Sequence, residues 1–418
     1  MLNIAMLSYH TCPLATLGGK DTGGMNVYVH ELTRHLGEIG VHVDVFTRSQ
    51  DEHVPHIIHE LGYCNRVVHV PAGPEIPLPK LQLTGYLPAF AEGVRGFAAR
   101  KGIHYDLIHS HYWMSGIAAR SLQQDWGSPV IQMFHTLGKM KNLVAQSDAE
   151  REGAYRPDGE QQVLDYVDRV IAATPAEVEQ LQRLYQTDPS KIAVIPPGVE
   201  LSRFYPIPPD EARAALKLPP EKKLLLFVGR IEPLKGIDVL LRAIARMKSD
   251  GILCEHTHSL AIIGGDPFAS GENLSAEMTR LQGLRSDLGL ENLVIFLGNR
   301  SQDTLPYYYS AAEVVIMPSH YESFGMVALE AMACGTPVVA SQVGGLAYLV
   351  KDGVTGFVVP NGDAVSLAER LTRLITQPAL RQSLGSQALA YARDYSWSTI
   401  ASRILSIYLD VLSNKNPA

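Results

Sequence analysis

Two carboxylates frame the most chemically suggestive stretch of the chain, Ser319-His-Tyr-Glu322-Ser-Phe324-Gly325-Met326-Val-Ala-Leu-Glu330-Ala-Met-Ala-Cys-Gly335. Ionised carboxylates only accept hydrogen bonds, so near a phosphate their natural partners are sugar hydroxyls. The β-branched run Val314 to Met317 reads as a buried parallel strand that Pro318 and Ser319 end. From Gly325 onward the residues are good helix formers, with apolar side chains at 326, 327, 329 and 332 and a Gly335-Thr-Pro337 stop. The pattern predicts a strand, a short loop, and a helix whose N-terminus opens at the carboxyl edge of a sheet. An open α/β sheet binds ligands there, and free backbone N–H groups attract phosphate. Taken singly, Glu322 reads as a solvated loop charge and Glu330 as a helix-surface charge. The pair around a phosphate-ready turn reads as a site.

A second cluster lies in Phe227-Val-Gly229-Arg230-Ile-Glu-Pro-Leu-Lys235-Gly236. A strand ends there at Gly229, and two cations follow in the loop. Arginine offers a planar fork and lysine a point charge, a combination that can hold a pyrophosphate. Each alone is as readily a solvated loop cation. Arg300 adds a third cation just after the strand that ends at Leu297. Cations, a helix N-terminus and hydroxyl acceptors together describe a pocket for a nucleoside-diphosphate sugar. The chain has no Asp-x-Asp, so no metal site is expected, and Arg230 and Lys235 take the place of a cation.

The elements that must hold these groups follow from the apolar runs. Asn3 to Leu7 reads as a first strand, and a loop from Tyr9 ends Gly18-Gly19-Lys20-Asp21-Thr22-Gly23-Gly24 before a helical pattern from Met25. The Gly23-Gly24 pair permits close backbone approach to a ligand, although a plain turn needs no more, and it is not a Gly-x-Gly-x-x-Gly fingerprint. Further strands fall at 41–47, 106–108, 130–134, 170–173 and 192–195. His109, His111, Tyr112, His135 and Thr136 then fall at strand carboxyl ends, while Lys80 falls in a proline-rich loop from Pro71 to Pro88. Any one of these histidines is as easily a hydrogen-bonded structural residue. Pro196-Pro-Gly198 and Pro206-Ile-Pro-Pro209 mark a linker. A second series of strands follows at 224–228, 260–263, 293–297, 314–317, 338–340 and 356–359, and 397–412 reads as an amphipathic helix. The alternation predicts an α/β chain of two Rossmann-like, doubly wound parallel-sheet domains.

Composition narrows the classes. The 418 residues exceed one ordinary core. A charged fraction of 19% and a hydrophobic fraction of 46% suit a folded globular protein. The net charge of −7 argues against a nucleic-acid partner, so anionic substrates must be held by local cations. Cys12, Cys64, Cys254 and Cys334 show no paired spacing, which predicts a reducing, cytoplasmic setting. Cys254-Glu-His256-Thr-His258 reads better as a polar loop than as a metal cluster. The N-terminus does not read as a signal peptide, and no apolar run reaches the ~18 residues of a membrane span.

Glu322-x7-Glu330 in its surrounding run resembles the nucleotide-sugar site of the retaining glycosyltransferases of family 4. Gly23-Gly-Met-Asn26-Val-Tyr-Val, His109-Ser-His-Tyr-Trp113 and Gly229-Arg230 to Lys235-Gly236 extend the resemblance across nearly the whole chain. Within the family these runs are most similar to the enzymes that join N-acetylglucosamine to inositol 3-phosphate, and after those to sucrose-phosphate synthases. The resemblance implies the GT-B fold, two Rossmann-like domains facing a cleft. Residues 1–198 would form the acceptor domain, with the helix 397–418 crossing back to it, and 199–396 the donor domain. It implies that Gly24, Arg230 and Lys235 hold the donor diphosphate, Arg300 and Glu330 the nucleoside, and Glu322 the donor sugar beside Phe324, Gly325 and Met326. Lys80, Tyr112, Thr136 and Arg156 align with an acceptor-phosphate pocket, and Asn26 and His135 with the reacting sugars. His135, Arg230, Lys235 and Glu322 are thus the expected catalytic groups. Residues 140–156 depart from the inositol-phosphate pattern. The expected partners are a UDP-sugar and a phosphorylated small acceptor; no cofactor is expected, and a homodimer is compatible with the resemblance. A sugar-nucleotide epimerase on the same architecture is the alternative from another reaction class.

Overall fold

The computed structural model describes residues 2–16, 22–145, 147–219, 222–266 and 275–415. The Gly18-Gly19-Lys20-Asp21 run lies outside them. The chain divides into two compact units, Met1–Gly198 with Trp397–Ala418, and Val199–Ser396.

The first unit holds strands β1 (Asn3–Leu7), β2 (His42–Arg48), β3 (Ile57–Ile58), β4 (Arg66–Val70), β5 (Leu107–His111), β6 (Val130–Met133), β7 (Arg169–Ala172) and β8 (Ile192–Val194). They form one sheet in the order β3-β4-β2-β1-β5-β6-β7-β8, parallel except for β3. From β1 the chain first builds outward through β2 and then returns to the other side at β5. That reversal is a topological switch point, where a crevice forms at the strands' carboxyl ends.

The second unit holds β9 (Lys223–Val228), β10 (His258–Ile263), β11 (Val294–Gly298), β12 (Ala312–Met317), β13 (Val338–Ser341) and β14 (Gly356–Val359). Its all-parallel order is β11-β10-β9-β12-β13-β14. The switch point lies between β9 and β12, the strands that precede Gly229-Arg230 and the Glu322 loop. Each sheet is covered by helices over its own core, which is why these strands read as continuous apolar runs.

The helix Trp397–Lys415 packs on the helix Gly24–Glu38 within the first unit. Trp397 meets the ring of Tyr28 edge-on at 5.3 Å. The Tyr408 hydroxyl lies 2.7 Å from His109 Nδ1.

Three expectations need correcting. Lys80 is not in a loop: it is the first residue of the helix Lys80–Leu83, which Pro79 precedes. Proline is tolerated at a helix start, and burial of Leu83 rewards the turn. His109 and His111 lie inside β5, where the whole strand is buried, and not beyond its end. Strands β3 and β4 were not foreseen.

Candidate active site

In the second unit the loops after β9 and β12 are locked together. Gly236 sits at φ 63°, where a side chain is strained, and a Cβ there would run into the Pro318 carbonyl. The His320 N–H donates to the Leu234 carbonyl at 2.8 Å. This brings Lys235 Nζ to 2.5 Å from Glu322 Oε2, with both side chains half-buried. The Glu322 carbonyl accepts from the Gly345 N–H at 2.9 Å, so the loop after β13 fixes Glu322 from behind. Arg230 is exposed and pairs with Glu232 at 2.8 Å. Arg300, also exposed, donates from Nε to the Tyr308 hydroxyl at 3.1 Å and from Nη1 to the Asn299 carbonyl at 2.9 Å.

The helix Met326–Ala333 begins at Gly325, whose φ of 107° favours glycine, and no side chain caps it. Its first N–H groups have no intrahelical acceptor, which suits an anion. Phe324 is buried and its ring centroid lies 6.2 Å from that of Tyr395; Met326 is half-buried. Glu330 is not a helix-surface charge. It is 7% exposed and accepts from the Tyr309 hydroxyl at 2.7 Å. Burial pushes its carboxyl up to about 7, against the opposing pull of Tyr309 and Arg203. Tyr309 and Gly345 were not picked out from the sequence. The Tyr307-Tyr-Tyr309 run before β12 was the visible signal for the first; nothing local marks the second.

In the first unit Arg156 organises a cluster. It is 2% exposed, with Nε on Glu160 at 3.0 Å, Nη1 on Glu152 at 2.5 Å, and Nη2 on the Thr136 carbonyl at 3.0 Å and Oγ1 at 2.8 Å. Its guanidinium lies 5.1 Å from the centre of the Tyr112 ring. Tyr112, Thr136 and Arg156 are therefore brought together. Burial raises the Tyr155 phenol, and Arg156 and Lys80 oppose that rise, which places Lys80 in the same electrostatic neighbourhood. Arg156 thus donates to Glu160, Glu152 and Thr136 within the unit.

Asn26 is equally committed. It is 1% exposed, accepts from the Gly23 N–H at 2.9 Å, and donates to Thr11 Oγ1 and the Cys12 carbonyl, both at 2.7 Å. It fastens the loop after β1 to the helix that Gly24 opens. Tyr112 and His135 follow β5 and β6 at φ 69° and 63°, a left-handed conformation that non-glycine residues adopt only when their surroundings enforce it. His135 Nε2 lies 3.0 Å from His111 Nδ1. Burial lowers His135 to about 3, although the residue keeps a partly exposed surface.

Among the described residues no helix is long and apolar enough to cross a membrane. The family model described as Glycosyltransferase Family 4 matches residues 22–203, and that described as Glycosyl transferases group 1 matches residues 209–390. The chain is 43% identical over 412 residues to a D-inositol 3-phosphate glycosyltransferase of Actinosynnema mirum, covering 98% of this chain and 97% of that one. It is 44% identical to the enzyme of that name from Thermomonospora curvata, covering 97% and 94%. Among solved structures, sucrose-phosphate synthase from Thermosynechococcus elongatus superposes with a TM-score of 0.89 at 35% identity, covering 99% of this chain and all of that one (100%). HepE from Anabaena, solved with UDP and glucose, has a TM-score of 0.74 at 20% identity, covering 98% and 100%, and speaks to the fold alone. The paired α/β units are those of the GT-B fold, and the chain belongs to the family 4 glycosyltransferases.

Proposed function

We propose that this glycosyltransferase moves a hexosyl group from a UDP-sugar to a phosphorylated polyol or sugar, with retention of configuration and without a metal. The observation that carries this reading is the Lys235–Glu322 pair at the β9/β12 switch point, beside an uncapped helix N-terminus. On donor binding Lys235 turns to the diphosphate together with Arg230, and Glu322 is released to accept from a sugar hydroxyl. Met326, Gly325 and Phe324 line that turn. Glu330, steadied by Tyr309, accepts from the ribose, and Arg300 flanks the nucleoside. In the first unit Gly24, which opens the helix Gly24–Glu38, is the candidate for a backbone contact with the diphosphate. Lys80, Tyr112 and Thr136 take the acceptor phosphate, with Arg156 holding Thr136 and Asn26 holding the Gly23-Gly24 turn.

The bond from the anomeric carbon to the diphosphate breaks, and a bond to the acceptor oxygen forms on the same face. The acceptor's proton passes to the departing phosphate. Protein catalysis is then positioning together with charge stabilisation of the leaving group by Arg230 and Lys235. The relatives named for D-inositol 3-phosphate support an inositol phosphate acceptor. The whole-chain likeness to sucrose-phosphate synthase supports fructose 6-phosphate as the second reading. A reducing cytoplasm suits the unpaired cysteines, all four of which are free thiols.

The test is UDP release with UDP-glucose and UDP-N-acetylglucosamine, each crossed with inositol phosphate, fructose 6-phosphate and their unphosphorylated forms, in excess EDTA. Release with a phosphorylated acceptor alone is expected. Equal release with free inositol or free fructose would refute the acceptor assignment. Activity lost in EDTA and restored by Mg²⁺ would refute the metal-free one.

A further inference from the structure

The first unit gathers three histidines side by side at the ends of β5 and β6, with His109 and His111 buried and His135 partly exposed. His109 and His111, two apart on β5, point to the same face of the sheet. Their ring centroids lie 4.3 Å apart, with the rings tilted by 39°. His111 Nδ1 faces His135 Nε2 at 3.0 Å. His111 Nε2 is buried without a hydrogen-bond partner among the described residues. His135 Nδ1 makes no hydrogen bond to a described residue, and it is not among the buried orphan atoms.

Burial holds all three imidazoles neutral, with His109 and His135 lowered to about 3 and His111 well below its usual value. Each ring therefore carries one N–H, and a single proton lies between His111 and His135. Two arrangements satisfy that contact. In the first, His135 Nε2–H donates to His111 Nδ1, and the proton of His111 is left on Nε2, a buried donor with no acceptor. In the second, His111 Nδ1–H donates to His135 Nε2. That strands only a lone pair on His111 Nε2 and moves the proton of His135 to Nδ1. A buried N–H left without an acceptor is rare in folded proteins, which favours the second.

We propose that His111 is a positioning residue that fixes His135 as the Nδ1–H tautomer, so that His135 meets its substrate as a hydrogen-bond donor and not as a proton acceptor. The surroundings brace that arrangement. His135 is held at φ 63°. The edge of Tyr28 packs against its ring at 5.2 Å, and Trp397 of the C-terminal helix packs against Tyr28. Tyr408 of the same helix anchors His109, whose ring lies beside that of His111. A neutral N–H suits a sugar oxygen, and it leaves the acceptor's proton to the departing phosphate. This consequence rests on the proposed placement of His135 beside the reacting sugars; the tautomer does not.

The test uses the full chain labelled with ¹⁵N-histidine, because two-bond ¹H–¹⁵N correlations distinguish a protonated from a bare ring nitrogen. His135→Gln and His111→Asn assign the signals. Wild type should show His135 protonated at Nδ1 and bare at Nε2. His111→Leu should return Nε2–H to His135 and lower kcat by roughly tenfold, the scale of one neutral hydrogen bond. His111→Asn, whose amide N–H replaces Nδ1–H, should restore the tautomer and most of the turnover. A wild-type His135 protonated at Nε2 overturns the proposal, as does an unchanged His135 in His111→Leu. If His111→Leu does not fold, the wild-type spectrum and His111→Asn decide alone. If the tautomer is found but His135→Gln keeps full turnover, the placement beside the sugars fails while the assignment stands.

Discussion

The two units treat their polar groups in opposite ways. In the first, Arg156 is shared among Glu152, Glu160 and Thr136, and Asn26 is consumed by Gly23, Thr11 and Cys12. Both are buried and satisfied within the unit. In the second, Arg230 is 46% exposed with Glu232 as its carboxylate, and Lys235 holds Glu322 through a single bond. A satisfied buried network is rigid and costly to break, whereas an exposed pair such as Arg230–Glu232 can exchange partners at little cost. On the proposed function the second unit keeps its charges available for a ligand, while those of the first hold its own backbone.

The sharpest way to break this contrast is to strand a charge. Glu160→Ala leaves Arg156 buried beside one fewer carboxylate and should cost about 3–5 kcal/mol of stability. Arg230→Ala should stay within about 0.5 kcal/mol of wild type. Urea unfolding measures both, and equal losses would erase the distinction.

Next in size is turnover. Lys235→Ala removes a cation from the leaving group and should lower kcat/KM by roughly 10²–10³ with little change in the urea midpoint. Retained turnover would make the Lys235–Glu322 pair a surface ornament.

The smallest effect is one the units share. Glu177 in the first and Glu330 in the second are both raised by burial from 4.5 to about 7. The fold favours their neutral forms, so this contribution is fully present below about 4.5 and is lost as pH rises through about 7. Glu330→Gln and Glu177→Gln should each remove that slope and raise stability at pH 8 by roughly 1–3 kcal/mol. A melting temperature at pH 8 that falls in both variants would contradict the sign.

Much of this was legible in the chain, for reasons that individual residues make plain. Runs such as Leu224 to Val228 are buried on both faces, so no alternation hides them. Other features were hidden. Ile57-Ile58 is too short to signal a strand, and Arg66-Val-Val-His-Val puts polar residues among its apolar ones. Pro79 looks like loop punctuation but starts a helix. His109, His111 and His135 were legible as residues at strand carboxyl ends, but neither the burial of the first two nor the direct approach of His135 to His111 is written locally. Lys235 and Glu322 are far apart in sequence and meet only because β9 and β12 are neighbours.

The central claim is that the second unit carries the nucleotide on Glu330 and the sugar on Glu322. Calorimetric titration of UDP into wild type, Glu322→Ala and Glu330→Ala tests it most directly. Glu322→Ala should keep its UDP affinity but lose transfer. At pH 8, where the Glu330 carboxyl is ionised, Glu330→Ala should bind UDP roughly 10- to 100-fold more weakly, the worth of one hydrogen bond to a charged acceptor. Wild-type affinity in Glu330→Ala, or equal weakening in both variants, would contradict it.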